Sequence, residues 1–184
     1  MTGVRLVEAA QAPLLARRYY VGGDPGPITA ALANVPELLE VAMPFLATVL
    51  GATAVDARTK ELVILRTSAV LGCRYCVQTH TTAARDTGLS RAEVAALRGE
   101  APVTAAFPSP RERAVVAWAE AVAAGPGPVA DAPRAALREH FGDHEVVELT
   151  LLAGATLMLN RFCTALELPT PPDVVARLVE EGWA

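Results

Sequence analysis

The chain repeats one helix-opening signal, Ser90 with Glu93 and Ser109 with Glu112. In such a capping box the hydroxyl accepts a hydrogen bond from the backbone three residues on, and the carboxylate reaches back. Each pair therefore fixes a helix start. Leu89 and Val94 add a hydrophobic staple to the first, and Pro110 takes the first helical position of the second. Gly99 stops the first helix, and the second runs to about Ala124, before Gly125.

The same punctuation extends along the chain. Asn34 caps a helix from Pro36 that Pro44 must kink or break. Asp56 opens a helix to about Leu71, Gly72 breaks it, and another runs from about Cys73 to Thr87. Residues 133–141 read as a short helix ended by Gly142. Asp143 then caps a long apolar segment closed by Pro169, and 173–181 forms a last amphipathic piece. No segment alternates with period two. Hydrophobic residues make up 52% of the chain and aromatics only 5%, so Ala, Leu and Val, two of them strong or good helix formers, must fill the core. The expected fold is all-α, a single-domain helical bundle over 35–169, with a loosely attached arm at 1–34 and a C-terminal helix in 170–184. The stretches 22–27 and 125–128 read as loops.

No basic block tracks phosphates, and the net charge is −4, which argues against nucleic acid as a partner. The first 20 residues carry scattered charges and no apolar stretch of the signal-peptide kind. The uncharged run 41–55 is short and contains Pro44 and Gly51, which argues against a membrane span. A soluble, cytoplasmic protein is the expectation. Three cysteines in that setting make no structural disulfide framework.

Two of those cysteines carry the sharpest signal. Cys73 and Cys76 stand three apart, which on a helix puts their Cβ atoms roughly 5–6 Å from one another, near the spacing of a disulfide. Gly72 places Cys73 at a helix N-terminus, where free N–H groups and the dipole favour a thiolate. His80 lies one turn beyond Cys76 and is able to take or return a proton. If the preceding helix packs antiparallel across Gly72, Glu61 points back to orient His80, giving a nucleophile, a base and an orienting group. Cys163, in a mostly apolar helix, reads as a buried, inert thiol.

The stretch 61–88, ELVILRTSAVLGCRYCVQTHTTAARDTG, with Leu89, Ser90 and Glu93 after it, resembles the core of the alkyl hydroperoxidase D-like, carboxymuconolactone decarboxylase superfamily. The segment 145–169, with Asn160-Arg161-Phe162, resembles the closing helix of its peroxidase-related subgroup. The resemblance covers roughly 35–169. It implies an all-helical fold, a homo-oligomer, and cofactor-free, thiol-dependent reduction of a hydroperoxide, with a dithiol or a partner protein as reductant. It implies that Cys76 attacks the peroxide, that Cys73 resolves the sulfenate, and that Glu61 and His80 relay protons. It puts Tyr75 in the site where the best-described peroxidase members carry a histidine. Helix-dipole reasoning instead makes Cys73 the more acidic thiol. The alternatives are a lactone decarboxylase, which the superfamily contains, and a metal-binding or redox-sensing module built on Cys73, Cys76 and His80.

Overall fold

The computed structural model describes residues 2–125 and 127–183. Residue 126 of the expected 125–128 loop, and the end residues 1 and 184 of the expected arm and last helix, lie outside the described residues. Among the described residues ten α-helices follow in order: α1 (Pro27–Leu32), α2 (Pro36–Leu50), α3 (Ala57–Leu71), α4 (Arg74–Asp86), α5 (Arg91–Leu97), α6 (Val103–Ala106), α7 (Pro110–Ala123), α8 (Asp131–Arg138), α9 (Asp143–Ala165) and α10 (Pro172–Glu180). There is no strand among the described residues.

The centre is α3, which packs against α4, α7 and α9. Its Leu62, Val63, Ile64 and Leu65, four in a row and so spread around the helix, are all buried, because neighbours cover α3 on every side there. The punctuation read in the sequence is largely what the backbone uses. Asp56 accepts from the Thr59 N–H at 2.8 Å, and the Ser90–Glu93 box closes in both directions. The second box closes only halfway. Ser109 accepts from Glu112, but the Glu112 carboxylate is drawn across the bundle to Arg58 Nε at 3.1 Å, and Arg58 also holds Glu93. One guanidinium thus ties two helix starts to α3, a use of these glutamates that capping rules do not foresee.

Other boundaries moved. Val35 rather than Asn34 precedes α2, because the Asn34 amide donates instead to the carbonyls of Arg5 and Ala31. Pro44 does not end α2, which continues to Leu50. The segment before α1 is folded onto the bundle: Gly3 donates to the Leu166 carbonyl at 2.8 Å, and the buried Tyr20 hydroxyl donates to the Val7 carbonyl at 2.8 Å. The arm is therefore held rather than loose.

Helix α9 is long and apolar enough to cross a membrane by length and composition. It packs against α2, α3, α4, α7 and α8, and it carries Glu148, whose carboxylate meets the Lys60 ammonium of α3 at 2.7 Å. Lys60 is 1% exposed and also donates to the carbonyls of Val49 and Gly51. This half-buried pair pins the α2–α3 connection to α9.

Candidate active site

The turn from α3 to α4 builds the site. Gly72 ends α3 with φ +65°, a left-handed conformation that glycine adopts at least cost, and the chain reverses there. Cys73 then caps α4, its sulfur accepting from the Cys76 N–H at 3.4 Å. The two thiols are free, both buried, and their sulfurs lie 2.7 Å apart.

On the far side of Cys76, His80 Nδ1 meets both carboxylate oxygens of Glu61, at 3.0 and 3.2 Å. The antiparallel packing of α3 and α4 thus brings these two sequence-selected residues together. Cys76 and His80 share a cavity of about 30 Å³ with Tyr75, Ser68 and Asn160. That exceeds the ~10–15 Å³ needed to hold one water. Cys73 faces elsewhere, into a pocket of about 320 Å³ that it lines with Arg74, Tyr75, Cys163, Thr164 and Glu167. The two cysteines therefore line different spaces, with Tyr75 common to both.

Electrostatics distinguish them as well. Hydrogen bonds from Cys163 and then Cys76, with the Cys76 N–H and Thr164, pull the Cys73 thiol far below its ordinary range despite burial. The same contacts with Cys163 and Cys73, followed by burial, push the Cys76 thiol far up. Such strongly coupled groups lose protons as a pair. The Cys76 N–H that points at the Cys73 sulfur favours the first charge at that end, as helix-dipole reasoning does. Tyr75 is half-buried, and burial followed by the charges of Cys163 and Cys76 raises its phenol above the usual range. It is a neutral wall between the two spaces, not a base.

Cys163 is buried as expected, and it packs in one cluster with Cys73 and Cys76. Sequence reasoning also missed Asn160 and Ser68, which line the Cys76 cavity. A signal was present. Thr156, Asn160 and Cys163 recur at i, i+4 and i+7, a polar stripe on one face of the apolar α9. Among the described residues, no three His, Cys, Asp or Glu side chains are arranged to share a metal ion.

Comparison with known proteins places this geometry. The sequence signature of the carboxymuconolactone decarboxylase family matches residues 36–121. YdfG of Bacillus subtilis, an uncharacterised protein, is 29% identical over 115 residues, which is 62% of this chain and 77% of YdfG. A protein of unknown function from Agrobacterium tumefaciens, for which a role as the antioxidant defence protein AhpD has been suggested, is 30% identical. It matches 76% of this chain and 94% of its own, with a TM-score of 0.67. An uncharacterised peroxidase-related protein from Ralstonia eutropha JMP134, with an alkylhydroperoxidase AhpD core, superposes at a TM-score of 0.81 over 94% of each chain. At 20% identity it speaks for the fold alone.

Proposed function

We propose, from the premise that this chain belongs to the carboxymuconolactone decarboxylase family, that it reduces hydroperoxides through Cys73 and Cys76. The observation that carries the reading is the placement of two free thiols 2.7 Å apart, with the Glu61–His80 pair on the cavity of the second. Cys76 attacks the terminal peroxide oxygen: an S–O bond forms, the O–O bond breaks, and the alkoxide leaves with a proton delivered by His80. The Cys73 thiolate, already ionised, then displaces hydroxide from the sulfenic acid and closes the disulfide. An external dithiol or a protein reductant reaches that disulfide from the 320 Å³ pocket on the Cys73 side.

His80→Ala and Glu61→Gln are expected to slow peroxide reduction about 10²-fold near pH 7, the usual loss on removing a general base. The pH dependence follows from the directions of the two thiols. Cys73 is depressed and stays ionised into acid, whereas Cys76 is raised and gains its reactive form only as pH increases. The deficit of both variants should therefore shrink at high pH, where hydroxide replaces the relay. Rate–pH profiles for the native chain and the two variants check this, and three superimposable curves would contradict it.

The family resemblance also points to self-association, and one face is built for it. Leu38 and Val41 of α2 are 60% and 72% exposed, and Met158 of α9 is 51% exposed. Phe45, Leu159 and Phe162 complete an apolar groove between the two helices. A second copy seated there would bury the about 1,200 Å² or more typical of a stable interface. Light scattering at micromolar concentration should give a multiple of the 19.3 kDa chain mass. A monomer mass would overturn the assignment.

A further inference from the structure

We propose that Asn160 orients the hydroperoxide, its Oδ1 accepting the terminal O–H of the substrate in the cavity shared by Cys76 and His80. The assignment rests on the peroxide reading above and deepens it. Asn160 is 1% exposed and lies on α9, across from α3 and α4. Its amide orientation is fixed, because Nδ2 donates to the Thr156 carbonyl at 2.6 Å, where a flipped amide would set oxygen against oxygen. The second Nδ2 proton goes to Ser68 Oγ at 3.2 Å. Both donors are thus committed. The remaining atom, Oδ1, is buried and has no partner within the protein.

A buried acceptor left without a donor is costly, and native proteins satisfy nearly all of them with protein or ordered water. Asn160 lines the 30 Å³ cavity with Cys76 and His80, and the rest of the wall is largely apolar, from Ile28, Leu50, Ile64 and Leu159. The occupant that fits is small and donates a hydrogen bond. A water does so at rest, and the O–O–H head of a hydroperoxide does so in turnover.

The bond persists through the chemistry. The substrate O–H donates to Oδ1, which turns the terminal oxygen toward Cys76. When the S–O bond forms and the O–O bond breaks, sulfur is oxidised and the peroxide reduced. The alkoxide takes its proton from His80, and the sulfenic acid O–H keeps the bond to Oδ1. Asn160 has no part in reopening the disulfide, which takes place on the Cys73 side.

The two half-reactions separate the possibilities. Asn160→Ala should slow oxidation of the reduced protein by one equivalent of hydrogen peroxide about tenfold or more. Reduction of the preformed disulfide by dithiothreitol should be unchanged. Asn160→Leu is nearly isosteric, removes the Oδ1 acceptor without setting an oxygen or a charge against the Thr156 carbonyl, and should slow oxidation as Asn160→Ala does. Equal slowing of both half-reactions, or an Asn160→Leu chain that is oxidised at the native rate, would mean that Asn160 only supports the packing and would overturn the assignment. A native chain that reacts with peroxide no faster than Asn160→Ala would also overturn it while sparing the peroxide reading. A native chain that does not react at all would remove that reading first.

Discussion

Lys60→Met is expected to destabilise the protein by about 2–4 kcal/mol, chiefly by leaving two carbonyls at the end of α2 without their donor. The melting temperature should fall by roughly 4–16 °C. The ammonium is 1% exposed, bonds Glu148 at 2.7 Å, and donates to the carbonyls of Val49 and Gly51 and to the Thr53 hydroxyl. Methionine fills similar space yet leaves two carbonyls without their donor and Glu148 with the Thr53 hydroxyl alone. Adding Glu148→Gln should recover only part of the loss, since the carbonyls stay unsatisfied. The pair also gives stability a pH dependence. Burial works to raise the Glu148 carboxyl, but hydrogen bonds from Lys60 and Thr53, with the Lys60 charge, outweigh it and hold the group below its ordinary value of 4.5. The unfolded chain therefore binds that proton more readily. The stabilisation is complete above about 4.5 and is lost as pH falls through the lower folded value. Denaturant unfolding of the native chain and the variant at neutral and acid pH checks both statements. A difference below about 1 kcal/mol at pH 7 would contradict the first, and a difference that grows on acidification would contradict the second.

Lys60 also shows where sequence reading stops. Nothing in Thr59-Lys60-Glu61 separates a lysine that ends in solvent from one that threads back under α2, because the carbonyls it binds belong to a turn the sequence does not draw. Glu61, its neighbour, was legible: the spacing to Cys73, Cys76 and His80 works across a single helical turn-around, and Gly72 marks that turn-around. The same contrast divides the helices. Ser90, Glu93, Ser109 and Asp56 act within one turn of backbone, so their caps read directly. The Glu112 carboxylate answered to Arg58, far away in sequence, and the box it was expected to close stayed half open. Helix α6, four residues long, lacks both cap and period and left no signal. Cys163 was correctly read as buried. Its neighbours Cys73 and Cys76 lie at the start of α4, and only the packing of α9 across the α3–α4 turn brings it to them.

Replacing Cys76 with serine should reduce peroxide turnover to background, a loss of about 10³-fold or more, because the hydroxyl neither ionises nor leaves in its place. Cys73→Ser should also stop turnover, but for another reason. The attacking thiol remains, so the protein reacts once and stalls as a sulfenic acid on Cys76. The charge distribution makes this a demanding forecast. The Cys73 thiol is the one pulled down, and Cys76, pushed up, must pass its proton to the Glu61–His80 side before it attacks. Were the resting charge to decide the chemistry, Cys73 would be the attacking sulfur, and the two serine variants would exchange their behaviour. The direct measurement is mass analysis of the alkylated native chain, Cys73→Ser and Cys76→Ser after one equivalent of peroxide. The predicted result is a Cys73–Cys76 disulfide with Cys163 still a thiol in the native chain, one sulfenic acid on Cys76 in Cys73→Ser, and no oxidation of Cys73 in Cys76→Ser. A sulfenic acid on Cys73 in Cys76→Ser, or a native chain that loses Cys163 in step with one of the pair, would contradict it.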